Sequence, residues 1–392
     1  AISSWWGCSL GHSHPRIVAA IKQQSGKLQH SILGNMSHPP AIELAERLGR
    51  LFKDERRAFF ASDGASAVEA ALKIAVQYWH NTGRPERRRI VSLANAYHGD
   101  TLGAVAAGFL PQFHRAFKPL TFPVYRAAAP FCAACARNRA PDSLSAPACD
   151  GECFQPMRRL LDKHHEKIAA VIVEPLCQCA AGMRIYSPQY LKKLAALCRA
   201  HDILLIADEI AVGFGRTGRM FAFEHSGIAP DIVCLGKGLS GGSLPISATV
   251  VKEKIYASFA DGPADHTFYH GHTFAGNPLA CAVALEVLKI YEEEKIVAEA
   301  RRKGKMMKEK MAELRRLKGV GNLRGLGMLA AFDLEPAGRA AALKKNLLKK
   351  GVLIRPLGNT IYLMPPLNTP DKLLAATMDL LAGALEKENS GR

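Results

Sequence analysis

Apolar positions along this chain fall into two patterns. Short unbroken runs such as "IAAVIVEP" (Ile168 to Pro175), "DILLIADEI" (from Asp202) and "DIVCLG" (from Asp231) leave no polar face. Runs of that length, flanked by turn residues, read as strands buried on both faces, the pattern of a parallel sheet. The runs ending at Ala61 and at Ala96, and "ISATVV" from Ile246, are of the same kind. Between them apolar residues recur at helical spacing, predicting for example a helix from about Ala65 to Trp79. After Asn277-Pro278, an N-cap followed by proline, the helical period continues to Leu317, too long for one ordinary helix, with a break expected at "EEEK". Beyond it, "VGNLRGLGMLAAFDL", a helix over Ala340 to Lys350, and "VLIRPLGNTIYLMPP" predict a smaller α+β unit.

The expectation is an α/β fold: a large domain over 1–276 with a mostly parallel central sheet, then a connecting helix and a small α+β domain over 277–392. No internal repeat is evident. Ala127 to Pro156, rich in Ala, Pro, Cys and Arg, reads as a surface loop or insertion.

Open α/β sheets bind ligands beyond the carboxyl ends of their strands, so the residues after each run are the candidates. After Phe60 comes Ser62 to Ser66, where the N–H groups of Gly64 and Ala65 open a helix and suit a phosphate, or form a plain N-cap turn. Tyr97, His98 and Asp100 follow the second run. Asp208 and Glu209 follow "ILLIA", with Arg216 in the adjoining "GFGRTG". Lys237 follows "DIVCLG", between two glycines, and His272-Thr273 follows "FYHG". Alone, Lys237 reads either as a solvated turn lysine or as an amine held at a strand end for nucleophilic work. Beside a phosphate cradle, an aromatic ring and a strand-end acid it completes the set that pyridoxal phosphate needs. The cofactor requires an amine for its aldehyde, a carboxylate for its pyridine nitrogen, a helix N-terminus for its phosphate and a ring against its plane.

Composition narrows the alternatives. With 392 residues, 48% hydrophobic and 22% charged, the chain has an ordinary globular make-up. No run of apolar residues is long enough to span a membrane, and the first residues lack the pattern of a secretory signal, so a cytoplasmic location is expected. The start without Met points to a missing N-terminus. A net charge of +17 invites a nucleic-acid partner, but the base is scattered. Its clusters at 301–310 and 343–351 alternate with apolar residues at helical spacing, as solvated helix faces do, and no aromatic-basic alternation offers a stacking platform. No nucleic-acid partner is expected. Six of the ten cysteines (Cys8, Cys177, Cys179, Cys198, Cys234, Cys281) are isolated or lie in apolar segments and read as small buried hydrophobes. Cys132, Cys135, Cys149 and Cys153 form a C-x2-C…C-x3-C set that resembles a zinc or cluster site, against the alternative of reduced thiols in a surface loop. His12, His14, His98, His270 and His272 show no known ligand spacing and are read as loop-satisfying residues, with no metal.

"ADEIAVGFGRTG" and "LGKGLSGG" resemble the motifs of the class III pyridoxal-phosphate-dependent aminotransferases of fold type I, a similarity running from Ser3 to about Leu381. "SSWW", "GHSHP", "AYHGDTLGA", "HGHTFAGNPLACAVALEVL" and "IRPLGNTIYLMPP" resemble the biotin-pathway branch of that family, which aminates 8-amino-7-oxononanoate to 7,8-diaminononanoate. The resemblance implies pyridoxal phosphate as cofactor, small-molecule substrates, and a homodimer with active sites at the subunit interface. The implied amino donor is S-adenosylmethionine, with lysine used by related enzymes. It also implies roles: Lys237 as covalent anchor and proton carrier, Asp208 at the pyridinium nitrogen, Gly64 and Ala65 on the phosphate, and Thr273 adding a hydroxyl from the partner subunit beside His272. Tyr97 would pack on the ring and line the pocket. Trp5 and Trp6 would form an apolar wall, Arg355 would hold the substrate carboxylate, and Gly271 and Tyr362 would complete the pocket.

Departures are informative. Ala65 stands where some members carry Ser, making Ser66 a candidate replacement, and His272 stands where Pro is common. A preceding segment with a substrate-contacting Tyr is lacking, which is expected to weaken substrate binding. Ala180 replaces the glutamate that gates the substrate arginine in ornithine- and 4-aminobutyrate-type relatives, favouring the biotin branch. Another class III ω-aminotransferase with a different acceptor is the alternative.

Overall fold

The structure, a computed structural model, describes residues 1–135, 151–260 and 262–389. Twelve strands follow in chain order: β1 Arg56–Ala61, β2 Arg89–Leu93, β3 Tyr125–Ala127, β4 Ile168–Val173, β5 Cys177–Gln178, β6 Arg184–Ile185, β7 Leu204–Asp208, β8 Ile232–Leu235, β9 Ser247–Lys252, β10 Val320–Leu326, β11 Leu329–Leu334 and β12 Thr360–Leu363. Seven form the central sheet in the order β1-β9-β8-β7-β4-β2-β3. From β8 to β3 the neighbours are parallel, as the unbroken apolar runs require; all six residues of β4 are buried. Each Val or Ile removed from water in this way contributes about 1.5–3 kcal/mol.

The run at 246–251 departs from expectation, because β9 lies antiparallel to both β8 and β1. A parallel return needs a helical crossover of roughly a dozen or more residues. The link after β8 instead spends its length on the short turn at Lys237–Ser240 and the loop behind it.

Helix α1 spans Gly64–Asn81, close to its predicted limits, with the Asp63 side chain accepting the Ser66 N–H at its start. The long helical pattern breaks where expected, into α2 at Pro278–Glu293 and α3 at Ile296–Glu313, with Lys295 between them at φ +51°. The Asn277 side chain caps α2 by accepting the Ala280 N–H at 2.9 Å. β10, β11 and β12 form a separate antiparallel sheet. Arg216, a candidate for the site, proves to join the two sheets. Its buried guanidinium donates to the carbonyls of Met328 (3.0 Å) and Pro365 (2.7 Å). The chain start docks on the same unit, with the Ser3 hydroxyl donating to the Met364 carbonyl.

The six cysteines assigned to the interior are all buried. Of the four-cysteine set, Cys149 lies outside the described residues; Cys132 is buried while Cys135 and Cys153 are exposed. Among the described residues no three His, Cys, Asp or Glu side chains gather as a metal requires.

Candidate active site

The carboxyl ends of β1, β2, β4, β7 and β8 converge on one cavity of about 560 Å³, lined by Gly64, Tyr97, Glu174, Asp208 and Lys237, with Trp6 across from them. Five segments far apart in sequence meet there because parallel strands all end on the same edge of the sheet.

Lys237 sits two residues beyond β8, as the first residue of the short turn, with φ +40°. The flanking glycines would be expected to take the turn themselves, but the lysine carries the left-handed conformation, at a cost of about 1–2 kcal/mol. Gly238 is small for another reason: a Cβ there would lie 2.9 Å from the Cβ of Phe214. The lysine amine stands 5.5 Å from the centre of the Trp6 ring. Burial lowers its pKa, against the opposing charges of Asp208, Cys179 and Glu174. An amine so placed is a better nucleophile near neutrality than a surface lysine.

Asp208 ends β7, 4% exposed. One carboxylate oxygen meets Nδ1 of fully buried His98 at 2.7 Å; the other accepts the Ile210 N–H at 3.1 Å. His98 is therefore a partner of the site acid and not a loop-satisfying histidine. Its signal was its place at the strand end beside Tyr97.

Glu174, just past β4, is the second residue whose part was not foreseen. Its two oxygens accept the backbone N–H groups of Tyr97 (3.1 Å) and Cys179 (3.0 Å), tying two site loops to the sheet. Burial, aided by the charge of Asp208, pushes its carboxyl up to about 7. A proton bound more tightly in the folded state stabilises it at low pH, and that contribution is lost as pH rises through about 7. Glu174→Gln is expected to cost about 1–3 kcal/mol, because its NH₂ must face an N–H donor. Urea unfolding should show the gap to wild type narrowing as pH rises through about 7; a gap independent of pH would contradict this assignment.

At the start of α1 the Ser66 N–H and hydroxyl both go to Asp63, at 3.0 Å each. Ser66 is thus spent on the cap and does not replace a phosphate hydroxyl. The N–H groups of Gly64 and Ala65 are first-turn donors facing the cavity, where helix geometry leaves them without intrahelical partners. The backbone is packed closely here: a Cβ on Gly99 would stand 2.4 Å from that of Ala65. A compact anion seated on two such donors fits this end of the cavity.

Trp5 and Trp6 belong to a turn in which Ser3 to Trp6 all have positive φ. Trp6 packs edge-on against Tyr362, centroids 6.0 Å apart, and the Arg355 guanidinium lies 4.0 Å over the Trp5 ring. Ala180 is buried in the same apolar cluster, where a carboxylate would be costly. Gly271, His272 and Thr273 are exposed on a loop and do not line this cavity.

A buried lysine amine, a histidine-held aspartate and open helix N–H groups at the carboxyl edge of a mostly parallel sheet define a fold-type I transferase. Residues 1–385 match the model of the Aminotransferase class-III family, and the chain belongs to that family. It is 39% identical to the adenosylmethionine-8-amino-7-oxononanoate aminotransferase of Geobacter sulfurreducens, over 98% of this chain and 86% of that protein. The crystal structure of the enzyme of the same name from Methanocaldococcus jannaschii superposes with a TM-score of 0.90 at 36% identity, covering 99% of this chain and 88% of that one. An amine transaminase from an uncultivated Pseudomonas species, in its PLP-bound form, gives 0.90 at 33% identity, covering 100% and 90%.

Proposed function

We propose that this chain aminates 8-amino-7-oxononanoate to 7,8-diaminononanoate, a step of biotin biosynthesis, using S-adenosylmethionine as donor and pyridoxal phosphate as cofactor. The convergence of Lys237, the Asp208–His98 pair and the Gly64 and Ala65 N–H groups in one cavity carries this reading. When bound, pyridoxal phosphate supplies the electron sink that lets an amine and a ketone exchange nitrogen.

The chain's own residues do the rest. Lys237 Nζ would be the covalent anchor and the base that moves the proton at the amine-bearing carbon. Asp208, fixed by His98 and the Ile210 N–H, would keep a proton on the ring nitrogen. Gly64 and Ala65 would hold the phosphate, and Tyr97 would pack on the ring. Trp5, Trp6 and Tyr362 exclude water from the aliphatic chain of the substrate, and Arg355 takes its carboxylate bidentately. Gly271, His272 and Thr273, exposed in one copy, serve the pocket of a second, making a homodimer. A biosynthetic enzyme of this kind works in the cytoplasm, where its thiols stay reduced.

A screen of donors and acceptors tests the reading. Turnover should require 8-amino-7-oxononanoate, with S-adenosylmethionine the preferred donor; efficient use of another ketone in its place would assign a different ω-aminotransferase activity. Arg355→Ala should raise KM for 8-amino-7-oxononanoate about 10–100-fold with a smaller change in kcat, the scale of a charged hydrogen-bond pair.

A further inference from the structure

Beside the Tyr97 loop, a chain of polar contacts runs from the cavity into the protein. The Tyr97 hydroxyl donates to one Asp100 oxygen at 2.7 Å, and Nε2 of His114 meets the other at 3.1 Å. The Leu110 N–H donates to Nδ1 of the same ring at 3.1 Å. Because Nδ1 is an acceptor there, the ring proton sits on Nε2 and His114 donates to Asp100. The imidazole also stacks on Tyr97, centroids 5.9 Å apart and planes inclined by 19°.

Burial is the telling contrast. The Asp100 side chain is 73% exposed, while that of His114 is 2% exposed. A carboxylate so open to water has no fixed rotamer of its own, and ordering it costs entropy. His114, held by the backbone of its own short helical turn (Pro111–His114), supplies the fixed donor that orders it. Asp100 in turn commits the phenol proton of Tyr97, so that toward any further group the phenol oxygen can only accept.

We propose that His114 is a positioning residue for this reaction, fixing the Tyr97 hydroxyl through Asp100. The proposal rests on the reading of this cavity as the transamination site. It is tested on the full chain loaded with pyridoxal phosphate, using whichever amine and ketone pair the wild type turns over. Failure of 8-amino-7-oxononanoate as substrate would therefore be separate from failure of this inference.

His114→Phe keeps a ring against Tyr97 but removes the donor. His114→Gln keeps an N–H that reaches Asp100. His114→Phe should lower kcat/KM about tenfold or more in the wild-type background, the scale of a lost charge-assisted hydrogen bond. In a Tyr97→Phe background it should change kcat/KM by less than about twofold, since the hydroxyl it serves is gone. His114→Gln should recover most of the activity. An equal loss in both backgrounds, no loss in the wild-type background, or failure of Gln to outperform Phe would overturn the assignment. Thermal melting of the same variants separates a folding defect from lost positioning, because a folding defect would follow His114→Phe equally with and without the hydroxyl.

Discussion

Lys237→Ala is expected to abolish covalent retention of pyridoxal phosphate and to lower kcat by about 10⁴-fold or more, losing anchor and proton carrier together. No other amine lines the cavity among the described residues. The wild type incubated with cofactor and desalted should keep a visible absorbance band, and the variant should not. A band surviving desalting in Lys237→Ala would remove Lys237 from its role. The backbone offers an internal control. Both Lys and Ala bear the steric cost of the left-handed φ of +40° at this position, whereas Gly does not. Lys237→Gly should therefore be equally inactive yet more stable than Lys237→Ala by about 1 kcal/mol.

Asp208→Asn should leave the fold largely intact and still reduce kcat by roughly 10²–10³-fold. Asn retains an oxygen for the Ile210 N–H and bulk beside His98, so the packing cost is small. What it loses is the negative charge that would hold a proton on the ring nitrogen. Removing one preorganised electrostatic group from a reaction centre costs about 3–4 kcal/mol, which converts to that range of rates at about 1.4 kcal/mol per tenfold. Steady-state turnover at saturating cofactor, with melting temperature as control, decides it. A loss under about tenfold would mean that Asp208 does not serve the cofactor.

Lys237 and Asp208 each close an unbroken apolar run, and strand ends can be found from hydrophobic pattern alone. The same holds for Gly64 and Tyr97, and for the helix break at Lys295. Hydrophobic period, caps and strand termini are local properties, written into neighbouring residues. By itself the sequence determined the α/β class, the order of the elements and a short set of candidate residues at strand ends.

What depends on contacts through space was decided only by the tertiary structure. β9 turns antiparallel because the link carrying Lys237 is too short to cross over. Arg216 sits in a site-like motif, but the small sheet places two carbonyls where its guanidinium points, making it a tie between sheets. Ser66 is claimed by Asp63 one turn away. His98 and Glu174 gained their parts from partners 110 and 77 residues distant. Thr273 is exposed and does not line its own chain's cavity. In each case the deciding quantity is which donor, acceptor or atom stands within a few ångströms, and separation along the chain carries no information about that.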